Sequence, residues 1–183
     1  MVKEFDIANL NVVAAYNPSF FDNETVMDTF KQSFSSSVKT ALSETIIEKL
    51  NDFDFVIKLL ENQNISIVSI HALSEKMLNK EALWTVLGKK SVPNFTHVQT
   101  DVIFEKLNKS SRHNLTIMST LVSWMRMSEI KTFIRSSFGL DAFNNWKEFQ
   151  MVCVEQDNSI LQIVSEDIKQ DAIRMVCILL NIF

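Results

Sequence analysis

Apolar residues recur along this chain at helical intervals. From Thr25 onward Phe30, Phe34, Val38, Leu42, Ile46 and Leu50 fall four apart, a stripe on one face of a long helix, with Ser35-Ser36-Ser37 as a bend within it. Ahead of it Asp6 reads as the cap of a short helix presenting Ile7, Leu10 and Ala14, ended by Asn17-Pro18-Ser19. Asp52 caps a helix over 53–61 with Phe55, Val56, Leu59 and Leu60 inward. A helix over 65–78 follows, with Ile67, Ile70, Leu73, Met77 and Leu78 inward. A short third helix, 80–87, stops at Gly88, read as a left-handed C-terminal residue.

The same order then recurs. A helix over 97–108 carries Val98, Val102, Ile103 and Leu107, and a polar break at 108–111 follows. A helix over 112–126 carries Leu115, Met118, Leu121, Val122 and Met125, and a third, capped by Ser128, runs through Ile130, Phe133, Ile134 and Phe138 to Gly139. Leu60 and Leu107 lie 47 residues apart, and Gly88 and Gly139 lie 51 apart. A less regular third copy begins with Asp141 as cap and Phe143, Trp146, Phe149, Val152 and Cys153 inward. Asn158 and Asp167 read as caps for its remaining helices. The expected organisation is one all-α domain over 1–183: N-terminal helices at 1–51, two helical triplets at 52–139, and an irregular third repeat at 140–183.

A period near 50 with three helices per copy resembles armadillo and HEAT-type repeats, most clearly over 53–139. The resemblance implies helices stacked into an α-solenoid, with those at 65–78 and 112–126 lining a concave surface. Peptide-binding armadillo proteins carry a tryptophan and asparagine ladder on those helices. Here Trp124 lies on one of them, the other has no matching tryptophan, and no asparagine ladder is present. The alternative fold is a compact all-α bundle whose hairpins look alike because they share caps and periods, and its function would be that of a small regulatory bundle binding an amphipathic partner helix in an apolar groove.

Composition sharpens the class. Two glycines and two prolines in 183 residues are far below the usual shares of roughly 7% and 5%. Sheet-rich chains spend glycine on positive-φ turns, so an almost wholly helical chain is expected. No stretch reaches the roughly 18 apolar residues of a membrane span, and no secretory leader is read at the start. With Cys153 and Cys177 alone, reduced thiols and an intracellular setting, cytoplasm or nucleus, are expected. The five Asn-x-Ser/Thr triplets, at Asn23, Asn64, Asn94, Asn108 and Asn114, are read as coincidence.

Most catalytic constellations are missing from the sequence. His71, His97 and His113 stand far apart, and neither C-x-x-C nor H-E-x-x-H occurs, so no metal is expected. Two glycines cannot form a phosphate loop, a dinucleotide fingerprint or a nucleophile elbow. The cysteines sit among apolar neighbours, where thiols are inert. The carboxylate pairs Asp52/Asp54 and Glu166/Asp167 stand at expected helix starts and complement the helix dipole there. The reading is a non-enzymatic module without cofactor.

Charge supplies the candidate site. Net charge is −4, yet residues 62–140 carry ten bases against five acids, between acidic ends. Lys106, Lys109, Arg112, Arg126, Lys131 and Arg135 face a single acid, Glu129, with His113 and Trp124 among them. These bases and Trp124 are the expected contacts for a partner protein, its segment acidic or amphipathic. Nucleic acid is the weaker expectation, because the chain is acidic overall. The end of the chain, Met175 to Phe183, is apolar on nearly every side. Ile178, Leu179, Ile182 and Phe183 are therefore candidates for a C-terminal interface, through self-association or a covering element beyond the sequence.

Overall fold

The computed structural model describes residues 7–34, 40–90 and 95–171. Among them every regular element is helical, and the only strand-like feature is an isolated parallel bridge between Phe95 and Met125. The chain divides into two compact units, Met1–Val86 and Leu87–Phe183. The division falls in the last turn of the helix expected at 80–87.

The N-terminal unit runs α1 (Ile7–Tyr16), a 3-10 turn (Pro18–Asp22), α2 (Glu24–Ser33), α3 (Glu44–Glu48), α4 (Phe53–Glu61), a second 3-10 turn (Ile67–Ala72), α5 (Glu75–Leu78) and α6 (Glu81–Leu87). Pro18 opens its turn because a first-turn position needs no N–H donor. Asn23 caps α2 by accepting from the Thr25 and Val26 N–H groups, and Asp52 caps α4 by accepting from the Phe55 N–H at 3.1 Å. Each such cap is worth about 1 kcal/mol. Phe30, Phe34 and Phe55 meet edge to face with centroids 5.4–6.1 Å apart and centre the core. Asn64, fully buried, donates to the Thr40 carbonyl at 2.9 Å, while its own carbonyl accepts from the Leu42 N–H at 2.7 Å.

The long helix expected from Thr25 to Leu50 is two helices. Phe34 takes an extended conformation, φ −67° and ψ 119°, and ends α2. The Leu42–Asn64 bond then holds residues 40–43 outside any helix. Of the apolar stripe Phe30, Phe34, Leu42, Ile46 and Leu50 are all buried, and Val38 lies outside the described residues. The helix expected at 65–78 is likewise divided, at Leu73, φ −60° and ψ 147°. Ile65, Ile67, Val68 and Ile70 are β-branched and weaken the helix just there.

Helix α4 stops through a Schellman motif without glycine. The Gln63 N–H donates to the Leu60 carbonyl at 3.1 Å and the Asn64 N–H to Leu59 at 2.8 Å. Gln63 sits at φ 63°, a left-handed conformation that costs a non-glycine residue about 1–2 kcal/mol. Gln63→Gly is expected to stabilise the chain by about 0.5–1 kcal/mol, the relieved strain exceeding the extra chain entropy. Urea midpoints of the two proteins check this.

The C-terminal unit runs α7 (His97–Lys106), a 3-10 turn (Ser111–His113), α8 (Leu115–Ser123), α9 (Met127–Phe133), a π turn (Ile134–Phe138), α10 (Leu140–Asn144), α11 (Lys147–Gln156) and a last 3-10 turn (Asn158–Gln162), and residues 166–171 are again helical. Helix α7 packs on α9, and α8 on α11. Val98 and Val102, expected inward, are 59% and 41% exposed. Helix α7 has apolar residues on two faces, and Thr100, Ile103 and Phe104 win the interior because Phe104 meets Phe133 at 5.3 Å. Leu115, also expected inward, is exposed. The helix expected at 112–126 starts only at Leu115, where Asn114 caps it by accepting from the Ile117 N–H. Arg126, not Ser128, precedes α9 as its N-cap. Asp157, not Asn158, caps the last 3-10 turn, through Ser159. Asp141 lies in the first turn of α10, with Gly139 as its N-cap.

Among the described residues, the order helix, 3-10 turn, helix occurs four times. The first helices begin at Ile7, Phe53, His97 and Lys147, spacings of 46, 44 and 50 residues. The turns begin at Pro18, Ile67, Ser111 and Asn158, spacings of 49, 44 and 47. Asn23, Ser74, Asn114 and Ser165 stand directly before the helix that follows each turn. The N-terminal segment, expected to precede the repeats, thus has the same element order. The sequons gain a structural reading too: Asn23 and Asn114 are caps, Asn108 accepts from the Ser111 N–H at 2.9 Å, and Asn64 is buried beyond reach of a glycan.

Candidate functional site

The basic segment folds around the two ends of α7. At its start, Thr96 and Gln99 form a capping box: the Gln99 N–H donates to the Thr96 hydroxyl and the Thr96 N–H to the Gln99 side chain. The Phe95 N–H donates to the Trp124 carbonyl at 2.6 Å and the Arg126 N–H to Phe95 at 2.8 Å, which ties this end of α7 to the start of α9.

At the other end Arg112 folds back over the helix terminus. Its Nε donates to the Phe104 carbonyl at 3.2 Å and its Nη2 to the Glu105 carbonyl at 3.1 Å. The guanidinium carbon lies 4.5 Å from the centre of the Phe104 ring. A cation here satisfies the Glu105 carbonyl, adds a second donor to the Phe104 carbonyl, which already accepts from the Leu107 N–H at 3.0 Å, and meets the negative end of the helix dipole. Arg112 is therefore first a helix cap. Among the described residues its Nη1 makes no hydrogen bond.

Beside it, His113 Nδ1 lies 2.8 Å from the Lys109 carbonyl. A carbonyl only accepts, so Nδ1 carries the proton of this bond and Nε2 is left for other partners. The π turn closes the opposite side. The Gly139 N–H reaches the Ile134 carbonyl at 2.9 Å, five residues back, and the Ser137 hydroxyl donates to the Asp101 carboxylate on α7.

Between these walls lies a groove of two neighbouring cavities that share part of their lining. The larger, about 470 Å³, has apolar walls of Phe104, Leu107, Phe138 and Ala142 and a polar rim of Lys109, Arg112, His113 and Ser137. The smaller, about 280 Å³, shares Phe104, Arg112 and Ser137 with it and adds Asp101, Glu105 and Ser136. Volumes of roughly 300–1,000 Å³ are those of ligand sites. The floor is backed by aromatic rings. Phe138 lies 6.2 Å from Trp146 and 5.1 Å from Phe149, and His113 stacks on Trp146 at 6.0 Å.

The structure thus gathers some of the sequence candidates and disperses others. Lys109 and Arg112 share the larger cavity. Arg126 lies at the far end of α7 and is exposed. Lys131 is half-buried and bonds the Gln162 side chain. Arg135 is exposed on the π turn, and Lys106 is half-buried in the last turn of α7. Among the described residues Lys109, Arg112, Arg126 and Arg135 form no ion pair, whereas in the N-terminal unit Lys31 and Lys49 pair with Asp28, Asp52 and Asp22. Trp124 is withdrawn as a contact: its side chain is 0% exposed and packs edge to face on Phe95. Ile178, Leu179, Ile182 and Phe183 lie outside the described residues. Phe104, Ser137 and Phe138 were missed as site residues, because 34 positions separate the two rings and no local pattern joins them.

A second feature of this unit is a clasp. Glu129 on α9 accepts from the His97 ring and, at 3.4 Å, from the His97 N–H. The ring hydrogen bond, chiefly, holds the Glu129 carboxyl below its ordinary value of 4.5. A lowered carboxyl contributes stability above its unfolded-state value and loses it as pH falls through the folded one. Wild type is therefore expected to lose stability below about pH 4.5 more steeply than Glu129→Gln. Urea midpoints of both proteins across the acid range check this.

Other chemistry is sparse among the described residues. No group of three metal-ligating side chains is present there. Burial pushes the Cys153 thiol far above its ordinary range, which leaves it unreactive. Among the described residues no helix is long and apolar enough to cross a membrane. Compared with protein-family models, curated proteins and solved structures, the chain matches none.

Proposed function

We propose that the chain is a non-enzymatic interaction module whose C-terminal unit binds an acidic segment of a partner protein. The observation that carries this reading is the groove rimmed by Lys109, Arg112 and His113, in which neither Lys109 nor Arg112 has an ion-pair partner among the described residues. Unneutralised cations over an apolar floor attract an anionic segment from a distance and hold it once its apolar residues are desolvated. An armadillo- or HEAT-like stacking of the repeats belongs to the same proposal. It is supported by the four-fold helix, 3-10, helix order at spacings of 44–50 residues, near the repeat lengths of about 40–47 in that class.

The test is co-purification from native extract, with and without nuclease, using wild type and Lys109→Glu/Arg135→Glu. Both residues are exposed, so the fold is left intact. A protein partner that survives nuclease and is lost in the variant supports the module. Partners that vanish with nuclease move the reading to nucleic acid, and partners indifferent to the variant exclude this groove.

A further inference from the structure

The two halves of the groove differ in charge. The larger cavity is cationic, through Lys109 and Arg112. The smaller one, which shares the lining residues Phe104, Arg112 and Ser137 with it, presents the carboxylates Asp101 and Glu105. Apolar wall runs through the middle, where Phe104 and Phe138 lie 6.0 Å apart. We infer that the groove reads a short partner segment in which an apolar anchor is flanked by a carboxylate on one side and a cationic side chain on the other.

Charge complementarity assigns each part of that segment. The carboxylate meets Lys109, the anchor lies against Phe104 and Phe138, and the cation meets Glu105. Asp101 is already engaged by the Ser137 hydroxyl, so Glu105, exposed on α7, is the available acid. This disfavours a polynucleotide, which carries a negative charge at every step and would place one against Glu105. The unit is also close to neutral, with eleven bases and ten acids over 87–183, where phosphate binders are strongly basic. The inference rests on the proposed interaction function and narrows it: an acidic segment alone is not enough.

The groove carries its own optical reporter. Trp84 and Trp124 are fully buried, whereas Trp146 is half-exposed and stacks on both His113 and Phe138. An occupant of the larger cavity changes the surroundings of these rings, so Trp146 emission reports binding, and Trp146→Phe removes the signal.

The experiment selects random short peptides on phage against the full chain, then titrates synthetic forms of the enriched peptides by Trp146 emission. Enrichment of peptides that join an acid, an apolar residue and a base is expected. Lys109→Glu should weaken them about tenfold or more, the effect of roughly 1.4 kcal/mol. Glu105→Lys should shift selection toward peptides acidic on both sides of the anchor. Both sites are exposed, and a lysine at 105 suits the C-terminal end of α7, so neither variant endangers the fold. Peptides that are acidic throughout, with Glu105→Lys indifferent, overturn this inference and leave the interaction function standing. No acidic enrichment, or indifference to Lys109→Glu, overturns both. Tight binding of single-stranded poly(U) that displaces the peptides replaces them with nucleic-acid recognition.

Discussion

Trp124→Ala is expected to lower the unfolding free energy by about 3–5 kcal/mol, the usual cost of deleting a buried aromatic ring. The side chain is fully buried, and the ring meets Phe95 edge to face at 5.8 Å and 90°. Its backbone carbonyl also holds the Phe95 N–H, so the ring supports the bridge that fixes the start of α7. Trp124→Phe should recover much of the loss, because it refills part of the cavity. Arg126→Ala, two residues on and exposed, should stay within about 0.5 kcal/mol of wild type. Urea denaturation of the three variants decides the matter. A loss under about 1 kcal/mol at Trp124 would return that ring to the surface.

Gly139→Ala should cost about 1–3 kcal/mol for a different reason. Gly139 sits at φ 93° and ψ 131°, a region that side chains with a Cβ scarcely enter. An added Cβ would meet no atom within 4 Å, so the loss is backbone strain and not a clash. Gly139→Ser should therefore cost the same, whereas a steric origin would make serine worse. The strained residue joins Phe138 to α10, and both contribute to the groove wall. Peptide affinity should fall along with the thermal midpoint. An unchanged midpoint would mean that the turn relaxes to negative φ.

The fold class was legible because its signals are local. Apolar residues three and four apart, the Asp52 cap and the shortage of glycine all act within one helical turn or one composition. They predicted α4 to the residue and the all-helical class of the described chain. The breaks were not legible. Phe34 continues a four-residue stripe, yet its backbone turns extended, and residues 40–43 are held by the buried Asn64, more than 20 positions away. Periodicity reports which side chains face inward, not whether the backbone between them stays helical.

The basic segment was visible as composition, but the groove was not. Sequence alone determined that the described chain is helical and that its middle is locally basic, since each follows from residue type and short-range order. Tertiary structure decided that Arg112 caps α7, that Trp124 belongs to the core and that Val98 faces outward. It also decided that Lys109 and His113 share a cavity with Phe104 and Phe138. Trp124 is buried against Phe95, and the other three share one physical reason. Helix α7 offers two apolar faces of similar strength, and only the rings carried by α9 and the π turn choose between them. Once Phe104 is drawn to Phe133 and Phe138, the helix end, its arginine cap and the groove beside it are all fixed.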